Sequence, residues 1–372
     1  MPKTILLTAG GTGGHLFPAQ ALASELQRRG HVVELATDER ADKYGSAFPA
    51  RRTHIIASET LRGKNPVALA KTALSLLRGT LQARGLVKQL VPDVVVGFGG
   101  YPTFPPLFAA RLTGTPSILH EANGVMGRAN KMLAKGVTAI ATSVPLKGLE
   151  KALAGKCVET GNPVRDAVAE VSGAPYPDLS EESRFGLLVF GGSQGARFFS
   201  DVMPEALALL PEALRSKLRL VQQCRPEDLA RVGQAYADLK VDAELHSFFT
   251  DMPRRIADSH LVICRSGASS VSELTVIGRP SILVPLPHAL DQDQMVNAEG
   301  LAAVGGAWPI RQQDLSPQRL ADELARLMTA PETLKQAAAA ALGAGKPDAV
   351  ARLADLVEQV AAGTFVAKGD GA

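Results

Sequence analysis

Aromatic residues are scarce in this chain, 5% of 372 with a single tryptophan, which argues against the stacking platforms that grip single-stranded nucleic acid. Strong net charge is missing too: charged residues make up 21% and the formal balance is +3, so nothing in the total demands nucleic acid. No apolar run approaches the roughly 18 residues of a membrane span. The opening Met1-Pro2-Lys3-Thr4-Ile5 lacks the apolar core of a signal peptide. Cysteine is limited to Cys157, Cys224 and Cys264, far apart, with no CxxC pair and no metal-ligand spacing, as expected of incidental thiols in a reducing compartment. What is present exceeds one hydrophobic core, so the length predicts two domains.

Short β-rich runs alternate with helical stretches. The first half has 4–8, 31–36, 94–97, 117–120 and 139–141; the second has 186–190, 218–222, 261–264 and 281–285. That alternation predicts parallel sheets with crossover helices. Each half opens alike, on a strand and then a glycine turn: Gly10-Gly11-Thr12-Gly13-Gly14-His15 in the first, Gly191-Gly192-Ser193-Gln194-Gly195-Ala196 in the second. The economical architecture is α/β, two Rossmann-like domains facing across a cleft. The turn-forming Gly161-Asn162-Pro163 marks the boundary, giving domains 1–162 and 163–344, with the 345–372 helical tail packing back on the first.

Neither glycine turn is a dinucleotide fingerprint, since GxGxxG begun at Gly11 would need glycine where Leu16 stands. The turns suit phosphate, pyrophosphate or a sugar approached by backbone, and the helix expected from Pro18 would aim N–H groups at an anion. The imidazole of His15 is more than a phosphate cradle needs. A third site, Arg265-Ser266-Gly267-Ala268-Ser269-Ser270, follows a buried-type strand and opens a helix. About one turn in, Glu273 is placed either to accept from two vicinal ribose hydroxyls or to complement the helix dipole. Gln294 and Asn297, three apart, share a helical face that reaches sugar hydroxyls or simply solvent. The nearby Asp291-Gln292-Asp293 has the look of a DxD metal site, but that motif belongs to another architecture, and no metal is expected. In the first half, Gly99-Gly100-Tyr101 and His120-Glu121-Ala122-Asn123-Gly124 follow strand ends, where open α/β sheets hold ligands. Arg165 lies just past the boundary, to bridge the cleft or form a surface ion pair.

From Thr60 to Pro92 there is no Asp or Glu, yet Arg62, Lys64, Lys71, Arg78, Arg84 and Lys88 alternate with leucines and valines. Such a segment suits anionic lipid headgroups, or else is an ordinary core-facing helix with solvated cations.

Together, the glycine turn ending in His15, His120-Glu121, Asn123-Gly124, Gly161-Asn162-Pro163-Val164-Arg165, Gly191 to Ala196 and Arg265-Ser266-Gly267-Ala268 resemble the MurG family of bacterial peptidoglycan N-acetylglucosaminyltransferases, which have the GT-B fold. The resemblance implies transfer of GlcNAc from UDP-GlcNAc to the muramyl 4-hydroxyl of undecaprenyl-pyrophosphoryl-MurNAc-pentapeptide (lipid I), giving lipid II with inversion and without a cofactor. It assigns the nucleotide sugar to the second half, with Ser193 and the backbone at Ala268, Ser269 and Ser270 on the pyrophosphate, Glu273 on the ribose and the main chain of Phe249 on uracil. Gln294 and Asn297 would hold the GlcNAc, helped by Arg165 and Asn123. Thr12, Gly13, Gly14, His15 and Tyr101 would receive the lipid acceptor. The implied place is the cytoplasmic face of the inner membrane, as a peripheral protein beside other cell-wall synthesis proteins. The chain departs from the family pattern at Ala122, Asp293 and Pro102-Thr103-Phe104.

An inverting displacement needs a base at the acceptor hydroxyl and stabilisation of the leaving diphosphate. His15 is the first candidate, because an imidazole ordinarily titrates at about 6.5. Glu121 is the second, as base or as a group that orients a histidine. Two other classes meet part of the pattern: a different GT-B glycolipid glycosyltransferase, and a non-catalytic nucleotide-sugar-binding protein.

Overall fold

In the computed structural model of the chain, the described residues are 1–10, 13–39, 48–58, 66–180, 183–192, 195–287 and 292–367, with the side chains of 66–71 excepted. The chain divides into two units, Met1–Arg165 with Asp348–Ala372, and Asp166–Pro347.

The first unit is built on β1 (Thr4–Thr8), β2 (Val32–Thr37), β3 (Thr53–Ile55), β4 (Val94–Gly97), β5 (Ser117–Glu121), β6 (Ala139–Thr142) and β7 (Cys157–Glu159). Among the described residues these form one parallel sheet in the order β3-β2-β1-β4-β5-β6-β7. The second unit has β8 (Phe185–Phe190), β9 (Leu218–Gln223), β10 (Asp242–His246), β11 (Leu261–Cys264), β12 (Ser281–Leu283) and β13 (Ala307–Pro309), ordered β10-β9-β8-β11-β12-β13. Both are doubly wound sheets whose order reverses beside the first strand. The interior strands Val94–Gly97 and Leu261–Cys264, covered by helices on both faces, are buried at every position, which is why they read as unbroken apolar runs.

Helix α1 (Gly13–Arg28) starts five residues before the predicted Pro18, so Gly13, Gly14 and His15 occupy its first turn rather than a loop before it. Helix α2 (Pro66–Leu90) fills the acid-free segment, and its two faces differ. Thr72, Thr80, Ala83 and Val87 are buried, whereas Leu74, Leu77 and Leu81 are 67%, 57% and 60% exposed. Arg78, Arg84 and Lys88 are exposed beside them; Arg62, Lys64 and the Lys71 side chain lie outside the described residues. Among the described residues no helix is long and apolar enough to cross a membrane.

The helix Ala349–Ala361 belongs to the first unit. Leu353, Leu356, Val357 and Val360 enter the core formed by β1, β4 and the Leu22 and Leu26 side of α1. Each such side chain contributes about 1.5–3 kcal/mol on burial. At the rim, Arg29 reaches Asp355 at 2.7 Å and Glu358 at 3.0 Å, and His31 Nε2 donates to Glu358 at 2.8 Å.

Candidate active site

In the first unit the strand order reverses between β1 and β4, and the loops at their C-terminal ends carry the candidate residues. The His15 imidazole packs close to glycine backbone. A Cβ built on Gly99 would stand 3.2 Å from its Cε1, and one on Gly100 3.3 Å from its Cδ2. Both glycines have positive φ, 88° and 79°, a conformation that side chains resist. Thr103 Oγ1 donates to the Gly99 carbonyl at 2.7 Å and Thr103 N to Gly100 O at 3.1 Å, which locks the loop in that shape. Tyr101 follows directly, half-buried in a 3-10 turn. Thr12 lies outside the described residues.

At the end of β5, Glu121 is 3% exposed and its two oxygens accept from four N–H groups. Asn123 supplies its backbone N at 3.0 Å and its Nδ2 at 3.3 Å to Oε1. Gly127 N at 2.9 Å and Asn130 Nδ2 at 2.7 Å meet Oε2. Burial pushes the carboxyl upward in pKa, against the pull of those donors. The carboxylate thus organises the 122–130 turn and sets Asn123. Asn130 is a buried residue of this network that sequence reasoning missed. Its partner lies nine positions back and nothing local marks the pairing.

His120, one residue earlier, donates from Nε2 to the Gly161 carbonyl at 3.3 Å, and its ring packs 5.2 Å from Phe98. Burial, and then the nearby His15, bring its pKa down to about 4, so it is a neutral structural imidazole at pH 7. Gly161 opens the segment that leaves this unit. Arg165 closes it, with its guanidinium 4.2 Å above the ring of Phe17 on α1.

In the second unit the reversal falls between β8 and β11. After β8, a Cβ on Gly191 would overlap the Ala196 amide, and Gly192 and Gly195 have φ of 84° and 65°, so only glycine permits this tight turn. Gln223 Oε1 accepts from Gly191 N at 3.1 Å. Ser193 lies outside the described residues. After β11, the helix Ala268–Ile277 begins at Gly267 with no side-chain cap, which leaves its first-turn N–H groups available to an anion. The Oγ of Ser269 is buried there without a hydrogen-bond partner among the described residues. Glu273 is 9% exposed in the second turn, beyond the first turn where a dipole interaction is strongest.

Arg265 heads the same motif but is spent within the fold. Its Nη1 donates to Val284 O at 3.1 Å and Pro285 O at 3.3 Å, and its Nη2 to Gln312 Oε1 at 2.6 Å. Gln294 and Asn297 sit where the predicted helical face puts them, on the helix Asp293–Ala303, and they hold neighbouring loops. Asn297 Nδ2 donates to Ser266 O at 3.1 Å, Ser266 Oγ to Gln294 O at 2.7 Å, and Leu286 N to Gln294 Oε1 at 3.0 Å. Phe249, three residues past β10, is buried between Arg255, 4.4 Å above its ring, and His246. Asp291 lies outside the described residues, and among those described no three His, Cys, Asp or Glu side chains gather as a metal-ligand set.

The glycosyltransferase family 28 N-terminal domain matches residues 5–142, and the family 28 C-terminal domain residues 186–353. The chain is therefore a glycosyltransferase of the two-domain, parallel-sheet class, and the expected GT-B fold holds. Solved structures agree: Acinetobacter baumannii MurG superposes with a TM-score of 0.77 at 29% identity, covering 96% of this chain and 100% of that one. The glycosyltransferase of kitacinnamycin, at 0.71 and 19% identity over 97% and 99% of the two chains, shares the fold.

Within that class the chain belongs to the UDP-N-acetylglucosamine--N-acetylmuramyl-(pentapeptide) pyrophosphoryl-undecaprenol N-acetylglucosamine transferases. It is 57% identical to the protein of that name from Brucella abortus (strain S19), over 97% of this chain and 95% of that one. The Brucella suis (strain ATCC 23445 / NCTC 10510) protein is equally similar.

Proposed function

We propose that the chain transfers GlcNAc from UDP-GlcNAc to the 4-hydroxyl of MurNAc in lipid I, forming lipid II and UDP. The observation that carries this is the 57% identity to transferases of that name over nearly the whole of both chains. The second unit takes the donor. The first-turn N–H groups at Ala268, Ser269 and Ser270, with the Ser193 turn, meet its diphosphate. Glu273 accepts from the ribose hydroxyls, and the main chain at Phe249 meets uracil. The first unit takes the acceptor along Thr12, Gly13, Gly14 and Tyr101. Asn123 and Arg165 serve the sugar with Gln294 and Asn297.

In the displacement the muramyl O4 forms a bond to the anomeric carbon while the bond from that carbon to the diphosphate oxygen breaks. The electron pair departs with UDP, and the O4 proton passes to His15. Uncapped helix N–H groups are aimed where negative charge grows on the leaving group. His15 suits the base because the glycines beneath its ring let a substrate come close. Glu121, with four donors on its oxygens, acts through the turn it holds, so it is a positioning residue in this reading.

The lipid acceptor also gives the two faces of α2 a meaning. Exposed leucines interleaved with Arg78, Arg84 and Lys88 fit an anionic bilayer surface, with the leucines entering the headgroup boundary. This makes the protein peripheral to the cytoplasmic face of the inner membrane, where its substrate is presented. Radiolabelled transfer to lipid I tests the function: label moves from UDP-GlcNAc, and UDP-galactose neither donates nor competes. Donor binding without transfer, or preference for UDP-galactose, contradicts it.

A further inference from the structure

Gln312 belongs to none of the motifs read from the sequence, yet it holds the buried cation at the head of the Arg265–Gly267 loop. Arg265 is 8% exposed. The rings of Phe198 and Phe199, with centroids 5.7 Å and 5.2 Å from its guanidinium carbon, offer it no oxygen. A buried charge is costly unless hydrogen bonds satisfy it. The shortest of its hydrogen bonds goes to Gln312, whose Oε1 accepts from Nη2 at 2.6 Å. Those from Nη1 reach a separate segment, at the Val284 and Pro285 carbonyls.

Gln312 is a firm anchor. It opens the 3-10 turn Gln312–Asp314 and lies between Ile310 and Leu315, both members of the second unit's core. Ile310 N donates to Leu283 O at 2.9 Å, just past the paired residues of β12 and β13. From that fixed point the guanidinium spans to the 284–285 carbonyls. Next along the chain is Leu286, whose N–H donates to Gln294 Oε1 at 3.0 Å. Pro285 and Leu286 also border a cavity, together with Met295, Arg311 and Gln312. A segment beside a cavity has fewer packing contacts, so hydrogen bonds carry more of its position.

We propose that Gln312 is a positioning residue: through Arg265 it fixes the 284–286 segment against the head of the helix Ala268–Ile277, so that the sugar and the diphosphate of the donor are held at one spacing. This rests on the donor assignment proposed above, with Gln294 on the GlcNAc and the first-turn N–H groups on the diphosphate. Without the Gln312 oxygen, the buried guanidinium lacks an acceptor and turns to find one, and the segment that carries Leu286 loses its hold. UDP alone has no sugar to sense that change.

The test compares Gln312→Leu, Gln312→Ala and Gln312→Glu in the full chain. Initial rates give KM and kcat for UDP-GlcNAc at saturating lipid I and the inhibition constant of UDP, with melting curves alongside. Leucine keeps the bulk without the acceptor, and alanine gives the same reading if the leucine variant does not fold. Gln312→Leu should raise the KM for UDP-GlcNAc by about 2- to 12-fold, the range of one hydrogen bond, with a smaller fall in kcat and an unchanged inhibition constant for UDP. Gln312→Glu, which returns an oxygen at the same reach, should restore the wild-type KM. A merely structural role would weaken UDP and UDP-GlcNAc alike. Unchanged KM, a parallel loss of UDP affinity, or failure of glutamate to rescue would overturn the proposal. Failure of the underlying reading would look different, since wild-type protein would then transfer no GlcNAc at all.

Discussion

Two neighbours without side chains give the His15 imidazole its setting. Alanine at Gly99 would be strained by the positive φ and would press on the ring. If His15 accepts the muramyl proton, His15→Ala should lower kcat by roughly a hundredfold or more, the usual scale for a lost general base. Near-normal turnover at saturating substrates would remove it from that role. His120 makes a different prediction. Its folded pKa is depressed to about 4 from 6.5, so the unfolded chain takes up a proton between those values while the folded chain does not. The stability of the neutral form is complete above pH 6.5 and drains away as the pH falls toward 4, an effect on the order of 3 kcal/mol. Unfolding midpoints at pH 7 and pH 5 should therefore fall further for the wild type than for His120→Gln. Equal falls would place the pH dependence elsewhere. Most of these residues were legible from motifs, but their partnerships were not. Arg265 reads as a ligand group in sequence, yet Val284, Pro285 and Gln312, distant along the chain, absorb its guanidinium. Asn130 escaped because it matters through Glu121, a partner that folding brings to it.

Elements were legible according to their place in the sheet. The nine interior strands all coincide with the β-rich runs read from the sequence, because mostly buried positions favour apolar residues. The four that do not, Thr53–Ile55, Cys157–Glu159, Asp242–His246 and Ala307–Pro309, are the edges of the two sheets. An edge strand is short, half-exposed and free to carry His, Glu or Pro, so hydrophobicity cannot mark it. At helix scale the Ala268–Ile277 element carries the donor assignment. Glu273→Ala should raise the KM for UDP-GlcNAc more than it lowers kcat, as measured by initial rates at saturating lipid I. An unchanged donor affinity would separate Glu273 from the ribose. Helix α2 offers its own check. Reversing Arg78, Arg84 and Lys88 to glutamate should strip the protein from vesicles rich in anionic lipid in a flotation assay, while transfer to a water-soluble acceptor analogue persists. Retention on those vesicles would deny α2 its membrane role.

On the scale of the whole molecule, the chain uses one architecture twice. Each unit is a doubly wound parallel sheet, and each places glycine-dependent turns at the point where its strand order reverses. Repetition of the plan was visible in the two strand-and-glycine openings. The return of the helix Ala349–Ala361 to the first unit is sealed by Leu353, Val357 and the Arg29 ion pairs. The division of labour proposed above draws on what each unit displays: one has a histidine backed by glycines, the other an uncapped helix with an acid in its second turn. A single displacement at the anomeric carbon requires both kinds of group, and it leaves a stereochemical record. The most direct measurement is the anomeric configuration of the new linkage, read by NMR on the disaccharide released from the product of UDP-GlcNAc and lipid I. The account predicts a β-linked GlcNAc on the muramyl O4, inverted from the α-linked donor. An α linkage, attachment at another hydroxyl, or no disaccharide at all would contradict it.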